Sequence, residues 1–197
     1  MPSTRDRIIA ATNELFRRHG YNGTSLKQIS AASGATIGSI YHFFPGGKEA
    51  LGSAVIESTG AIYRELFESI AAEASDPTRA FAEFCAGAAA VLEESDFIDP
   101  CPIGTIAREV ANTSEPLRSA ADTAFRSWIE AARDHLCATG VSEAEAEELA
   151  TLFVAVVEGM FVLSRTQRST EPLLSAGRHL TALAEHARAN SVGARSS

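Results

Sequence analysis

Along this chain apolar residues recur at spacings of three and four, and no segment alternates apolar with polar as a half-buried strand would. Ile8, Ala11, Leu15 and Phe16 lie on one helical face, and Gly20 stands where that helix should end. Ser25 followed by Gln28 is a capping box that opens a second helix, and Gly34 can take the positive φ that closes it. Thr36 can cap a short third helix before Pro45-Gly46-Gly47 breaks the chain again. A long helix follows, with Leu51, Val55, Ser58, Ile62, Leu66 and Ile70 expected on its buried stripe. Asp76-Pro77 starts the next one, whose apolar face is Phe81, Phe84, Cys85, Ala88 and Leu92. A kinked connection over 96–104 leads to helices expected at about 103–111, 116–138, 142–168 and 172–189, and then to a polar, frayed tail. The pattern predicts an all-α protein.

Charge divides the chain where the pattern does. Residues 1–50 hold six Lys/Arg against three Asp/Glu, a balance of +3; the remainder holds eleven against twenty-two, a balance of −11. The whole-chain net charge of −8 therefore conceals a basic head on an acidic body, the distribution that a local phosphate-binding surface requires. The first residues lack the apolar core of a secretion signal. The longest apolar run, 149–163, is broken by Glu158 and too short to span a bilayer. Cys85, Cys101 and Cys137 are odd in number, widely spaced and in no zinc pattern. A cytoplasmic protein with reduced thiols and no membrane partner is expected. GxSxG, HExxH, P-loop and GxGxxG motifs are all absent, so no catalytic nucleophile, metal or cofactor is expected. An all-helical enzyme and a helical interaction module remain the competing classes.

The chemistry of the head can be argued from its short helices. A B-DNA major groove about 12 Å wide admits one helix, held there by a second packed across it. Leu26, Ile29, Ala35, Ile40 and Phe44 are spaced to bury, which leaves Thr36, Ile37, Gly38, Ser39, Tyr41 and His42 facing outward. Hydroxyls and helix N-termini bind phosphates, and Lys48, in the first turn of the long helix, can join them with its ammonium.

These residues closely resemble the DNA-binding head of the tetracycline-repressor (TetR) family. The resemblance rests on Leu15-Phe16, His19-Gly20-Tyr21, Thr24-Ser25, Ile29, Gly34-Ala35, Ile40-Tyr41-His42-Phe43-Phe44 and Lys48-Glu49-Ala50-Leu51, and covers about residues 4–52. Phe44-Pro45-Gly46-Gly47-Lys48 and Cys101-Pro102-Ile103-Gly104 are similar, more weakly, to the regulators of multidrug efflux and flavonoid response. The resemblance implies a ligand-responsive regulator, usually a repressor, that binds a palindromic duplex as a homodimer. It implies a DNA-binding domain over 1–50, a ligand-binding and dimerisation domain over 51–190, and a tail over 191–197. Thr24, Ser25, Tyr41 and Lys48 match the family's phosphate contacts; Lys27, Ile37, Gly38 and His42 match positions that face bases. Ile37 departs from the polar residue common there, and either touches thymine methyls or tucks under Tyr41 as packing.

In the body, Leu149, Leu152, Phe153, Val156, Val157, Met160 and Phe161 are too many apolar residues for one stripe. They predict two buried faces, and the resemblance implies that the last two helices pair with those of a second copy. Phe84, Phe125, Trp128 and Phe153, among further apolar candidates such as Phe81 and Leu92, are expected to line a pocket for a small lipophilic effector; Glu158 would orient a polar group on it. Cys101 reads as a packed thiol or as a redox sensor at a helix start, with Asp99 opposing its thiolate. The five His are dispersed, and His179 and His186 share a face without a third ligand.

Overall fold

The computed structural model describes residues 2–74, 76–98 and 101–195. All regular structure among them is helical: α1 (Thr4–His19), α2 (Leu26–Ser33), α3 (Ile37–Phe43), α4 (Lys48–Glu73), a single 3-10 turn (Pro77–Arg79), α5 (Ala80–Glu94), α6 (Pro102–Val110), α7 (Glu115–Ala138), α8 (Glu143–Gln167) and α9 (Glu171–Arg195). Asp99, expected beside Cys101, lies outside the described residues, as do the last two residues of the tail.

The chain forms two compact units, one of Met1–Ala61 with Asp99–Ala124, the other of Ile62–Ile98 with Phe125–Ser197. The first unit contains α1 to α3. Its small core joins Ile8, Ile29, Ala35, Ile40, Phe44 and Leu51, with Leu15 and Leu26 packed on its margin. Caps set the helix boundaries. Ser25 Oγ accepts from the Gln28 amide and the Gln28 side chain accepts from the Ser25 amide, while Gly34 ends α2 at φ 67°. Thr36 Oγ1 accepts from the Ser39 amide and opens α3. Each cap satisfies amides that the first turn leaves without partners.

The second unit has an aromatic core. Phe67, Phe81 and Phe153 are buried there, and Phe84 joins them. Phe153 meets Phe81 edge-on at 4.8 Å between centroids and Phe84 at 5.5 Å, and lies 5.4 Å from Phe67. Such tilted and edge-on pairs suit the ring quadrupoles.

Phe67 corrects the stripe expected for α4. Ile62 and Leu66 are exposed, at 56% and 47%, whereas Val55, Ile56, Thr59 and Phe67 are buried. The expected line took three successive four-residue steps from Ser58 to Ile70. Each exceeds one turn by about 40°, so the line rotates off the buried face. α9 also runs to Arg195, beyond the expected end near 189. Ser191 Oγ accepts from the Ser142 amide at 3.1 Å and ties this last stretch to the start of α8.

Candidate nucleic-acid interface

The helix α3 is only seven residues long, so its surface is set by what holds it. Ile40 is fully buried, which turns the opposite side outward. Thr36, Ile37, Gly38, Tyr41 and His42 are exposed there and Ser39 is half-buried. Ile37 is 40% exposed. A Cβ on Gly38 would meet only Thr36 Oγ1, at 3.8 Å, so the backbone at the start of α3 is open to a close approach. Lys27 and Ser25 are exposed on and before α2.

The Phe44–Lys48 turn positions the end of this surface. Gly47 takes φ 62°, and a Cβ on it would lie 3.2 Å from the Tyr41 ring. Glycine serves both the turn and the ring, and Tyr41 as a residue stays 49% exposed. Arg5 of α1 stacks its guanidinium 5.5 Å from the Phe44 centroid, at the C-terminal end of α3.

Two expected phosphate contacts have internal duties. Thr24 is buried, and its hydroxyl donates to the Gly20 carbonyl at 2.8 Å, with Leu15 O at 3.3 Å. Its side chain therefore holds the α1–α2 corner instead of facing a phosphate. Lys48 Nζ donates to the Tyr21 carbonyl at 2.9 Å and the Thr24 carbonyl at 3.0 Å, and sits 4.2 Å from the Tyr21 ring centroid. One of its three N–H donors is left over. Burial pushes the Lys48 ammonium below the usual lysine range, opposed by the charge of Glu109. Burial pushes the Tyr21 phenol up, helped by Glu49. The sequence pattern placed Lys48 correctly but could not show that two carbonyls 24 and 27 residues away would claim it.

In the second unit, the expected effector residues form one aromatic neighbourhood in two groups. Phe84 and Phe153 belong to the cluster around Phe67, while Trp128 lies tilted against Tyr63 at 5.7 Å and edge-on to Phe125 at 5.4 Å. Glu158 is half-buried on α8. Tyr63, Phe67 and His135 are the members that the pattern missed. His135 Nε2 donates to the Pro77 carbonyl at 2.7 Å and presents its ring edge to Phe67. Cavities open among the described residues, two of them in the second unit. One of about 280 Å³ is lined by Phe67, Glu68, Ala71, Ala131, Asp134 and His135; the other, about 470 Å³, lies between Arg133, Cys137, Ser142 and Glu143. Phe84, Phe125, Trp128, Phe153 and Glu158 line neither.

Cys101 is buried and N-caps α6, its Sγ accepting from the Gly104 amide at 3.5 Å. Burial pushes the Cys85 thiol up to about 12.

Family models match both parts of the chain. Residues 8–55 match the bacterial regulatory proteins of the tetR family, and residues 77–179 match the C-terminal domain of LmrA/YxaF-like transcriptional regulators. The chain belongs to the TetR family. It is 38% identical to the HTH-type transcriptional regulator YxaF of Bacillus subtilis (strain 168), over 87% of this chain and 90% of that protein. It is 34% identical to the regulator LmrA of the same organism, over 87% and 91%. In fold it is similar to a TetR transcriptional regulator from Legionella pneumophila, with TM-score 0.81 at 24% identity over 91% of this chain and 96% of that one. As a TetR-family member the chain is a helix-turn-helix transcriptional regulator, and the family is one of DNA-binding regulators rather than enzymes. No helix among the described residues is long and apolar enough to cross a membrane.

Proposed function

We propose that two copies of this chain bind a palindromic operator in the cytoplasm, repress transcription there, and are released by a small lipophilic effector. The observation that carries the DNA-reading part is α3 itself: Ile40 is fully buried on one side and Ile37, Gly38, Tyr41 and His42 are exposed on the other, in a head of net charge +3. Tyr41, Ser25, Ser39, Thr36 and the spare donor of Lys48 meet phosphates; Lys27, Ile37, Gly38 and His42 face bases. An isoleucine suits thymine methyls, the main apolar feature of the major groove. Residues 1–50 carry this task, and residues 51–190 bind effector and partner, with 191–197 as a polar tail.

The dimer reading is supported by the outer face of α8. Leu152, Ala155, Gly159, Val162 and Thr166 follow one another at three- and four-residue steps and are all exposed, opposite the buried Phe153 and Val157. Leu183 is 43% exposed on α9, flanked by His179 and His186. The effector reading is supported by the aromatic neighbourhood of Phe84, Phe125, Trp128 and Phe153, which suits an apolar planar molecule. The effector acts by binding the released state more tightly than the DNA-bound one.

The test begins with selection from random duplexes. The wild type should enrich a twofold-symmetric site whose half-sites lie about one helical turn, 34–36 Å, apart. Ile37→Ala should then cost about 1 kcal/mol at one A·T pair in each half-site. No enriched sequence would sink the operator reading; an even loss across all positions would remove Ile37 from base contact. An effector must quench Trp128, the single Trp of the chain, and operator must weaken effector binding by the factor with which effector weakens operator.

A further inference from the structure

The α1–α2 corner, residues 20–24, receives a side chain from 87 residues further along the chain. Glu109, half-buried on α6, accepts the Asn22 amide proton on Oε2 at 2.7 Å. Its other oxygen, Oε1, lies 2.0 Å from where a Cβ on Gly20 would stand. Gly20, at φ 73°, thus does two things: it ends α1, and it makes room for this carboxylate. The corner that Glu109 touches is the one whose carbonyls, of Tyr21 and Thr24, bind the Lys48 ammonium. Neighbouring contacts run the same way. Ser114 donates to Glu49 at 2.6 Å, and Leu117 lies 2.8 Å from the Cβ position of Gly52, which Tyr21 approaches from another side at 3.2 Å. All of these residues belong to the first unit.

We propose that Glu109 is a positioning residue for the DNA-reading head: its carboxylate fixes the α1–α2 corner, and through that corner the seats of Ser25 and Lys48. A charged acceptor on a backbone amide is among the stronger hydrogen bonds. It acts here at the residues that set where α2 begins. Because the acceptor sits on α6, outside the helix-turn-helix, any displacement of α6 reaches the corner directly. The proposal rests on the DNA-reading role of the head and adds to it a residue that touches no DNA.

The experiment uses the full-length protein and a duplex that the wild type has enriched from a random pool. Glu109→Ala should speed hydrogen exchange at the Asn22 amide at least about tenfold while the Ile29 amide, in the core of the head, stays at its wild-type rate. Affinity for the selected duplex should fall about tenfold, the equivalent of one charged hydrogen bond. Glu109→Gln keeps an acceptor oxygen without the charge and should lie between wild type and Glu109→Ala in both quantities, about threefold from wild type. Wild-type affinity in Glu109→Ala overturns the proposal. So does an affinity loss accompanied by equal acceleration at Ile29, which would mark plain destabilisation. A Gln variant as weak as the Ala variant overturns it as well. Should Glu109→Ala not fold, Glu109→Asp, whose oxygens are withdrawn by one methylene, is read in the same way, and wild-type affinity there is equally fatal. A wild type that enriches no duplex would overturn the DNA reading itself, a separate outcome.

Discussion

The reading helix and the body treat their apolar side chains in opposite ways. On α3, Ile37 and Tyr41 are 40% and 49% exposed, and Phe43 just after them is 38% exposed. In the second unit, Phe67, Phe81 and Phe153 are at most 5% exposed and are turned on one another. Exposed apolar groups on so short a helix add little to its stability, which comes from the buried Ile40 and the caps. They mark a surface that is completed by something else. The buried rings of the body do stabilise, by removing large apolar areas from water. One region is therefore expected to be sensitive in binding and insensitive in stability, and the other the reverse.

The sharpest way to break that contrast is to truncate one ring from each region. Phe153→Ala should cost about 3–5 kcal/mol in urea denaturation, since its neighbours Phe67, Phe81 and Phe84 cannot all collapse into the space. Tyr41→Ala should stay within about 0.5 kcal/mol of wild type in the same measurement, yet weaken binding to the selected duplex. Equal stability losses would erase the distinction.

Next comes the outer face of α8, whose apolar residues are exposed like those of α3 but are assigned to a second copy. Val162→Arg should give a monomer in sedimentation and reduce affinity for the symmetric duplex by about a hundredfold, the gain expected from joining two heads. A variant that stays dimeric would move the dimer contact elsewhere.

The smallest effect concerns the buried thiol of Cys85. Its pKa of about 12 in the fold stands above the ordinary value of 9.0, because burial penalises the thiolate. Below pH 9 both folded and unfolded thiols hold their proton and the contribution to stability is complete. Above pH 9 only the unfolded thiol loses it, so stability falls as pH rises toward 12. Between pH 8 and 10 the wild type should lose about 1 kcal/mol more than Cys85→Ala does over the same range. Parallel pH profiles for the two would show that the thiol is solvated.

The amino-acid sequence by itself determined the helical class, most helix boundaries and the outward set on α3. These follow from local physics: apolar residues in helical phase, Ser25 and Thr36 as caps, Gly20 and Gly34 as stops. It also determined the family, because the residues of the head lie close together in the chain. Tertiary structure alone decided which side of α4 is buried, since Ile62 and Leu66 are as apolar as the residues that took the core, and only packing chooses between two such lines. It decided that Thr24 faces inward and that Lys48 is bound by carbonyls, because a hydroxyl or an ammonium shows its chemistry in sequence but not its partner. It alone brought Glu109 to Asn22, a hydrogen bond across 87 residues that no periodicity encodes. Helical phase repeats every few residues and can be read locally; the pairing of distant polar groups depends on how the helices close around a core.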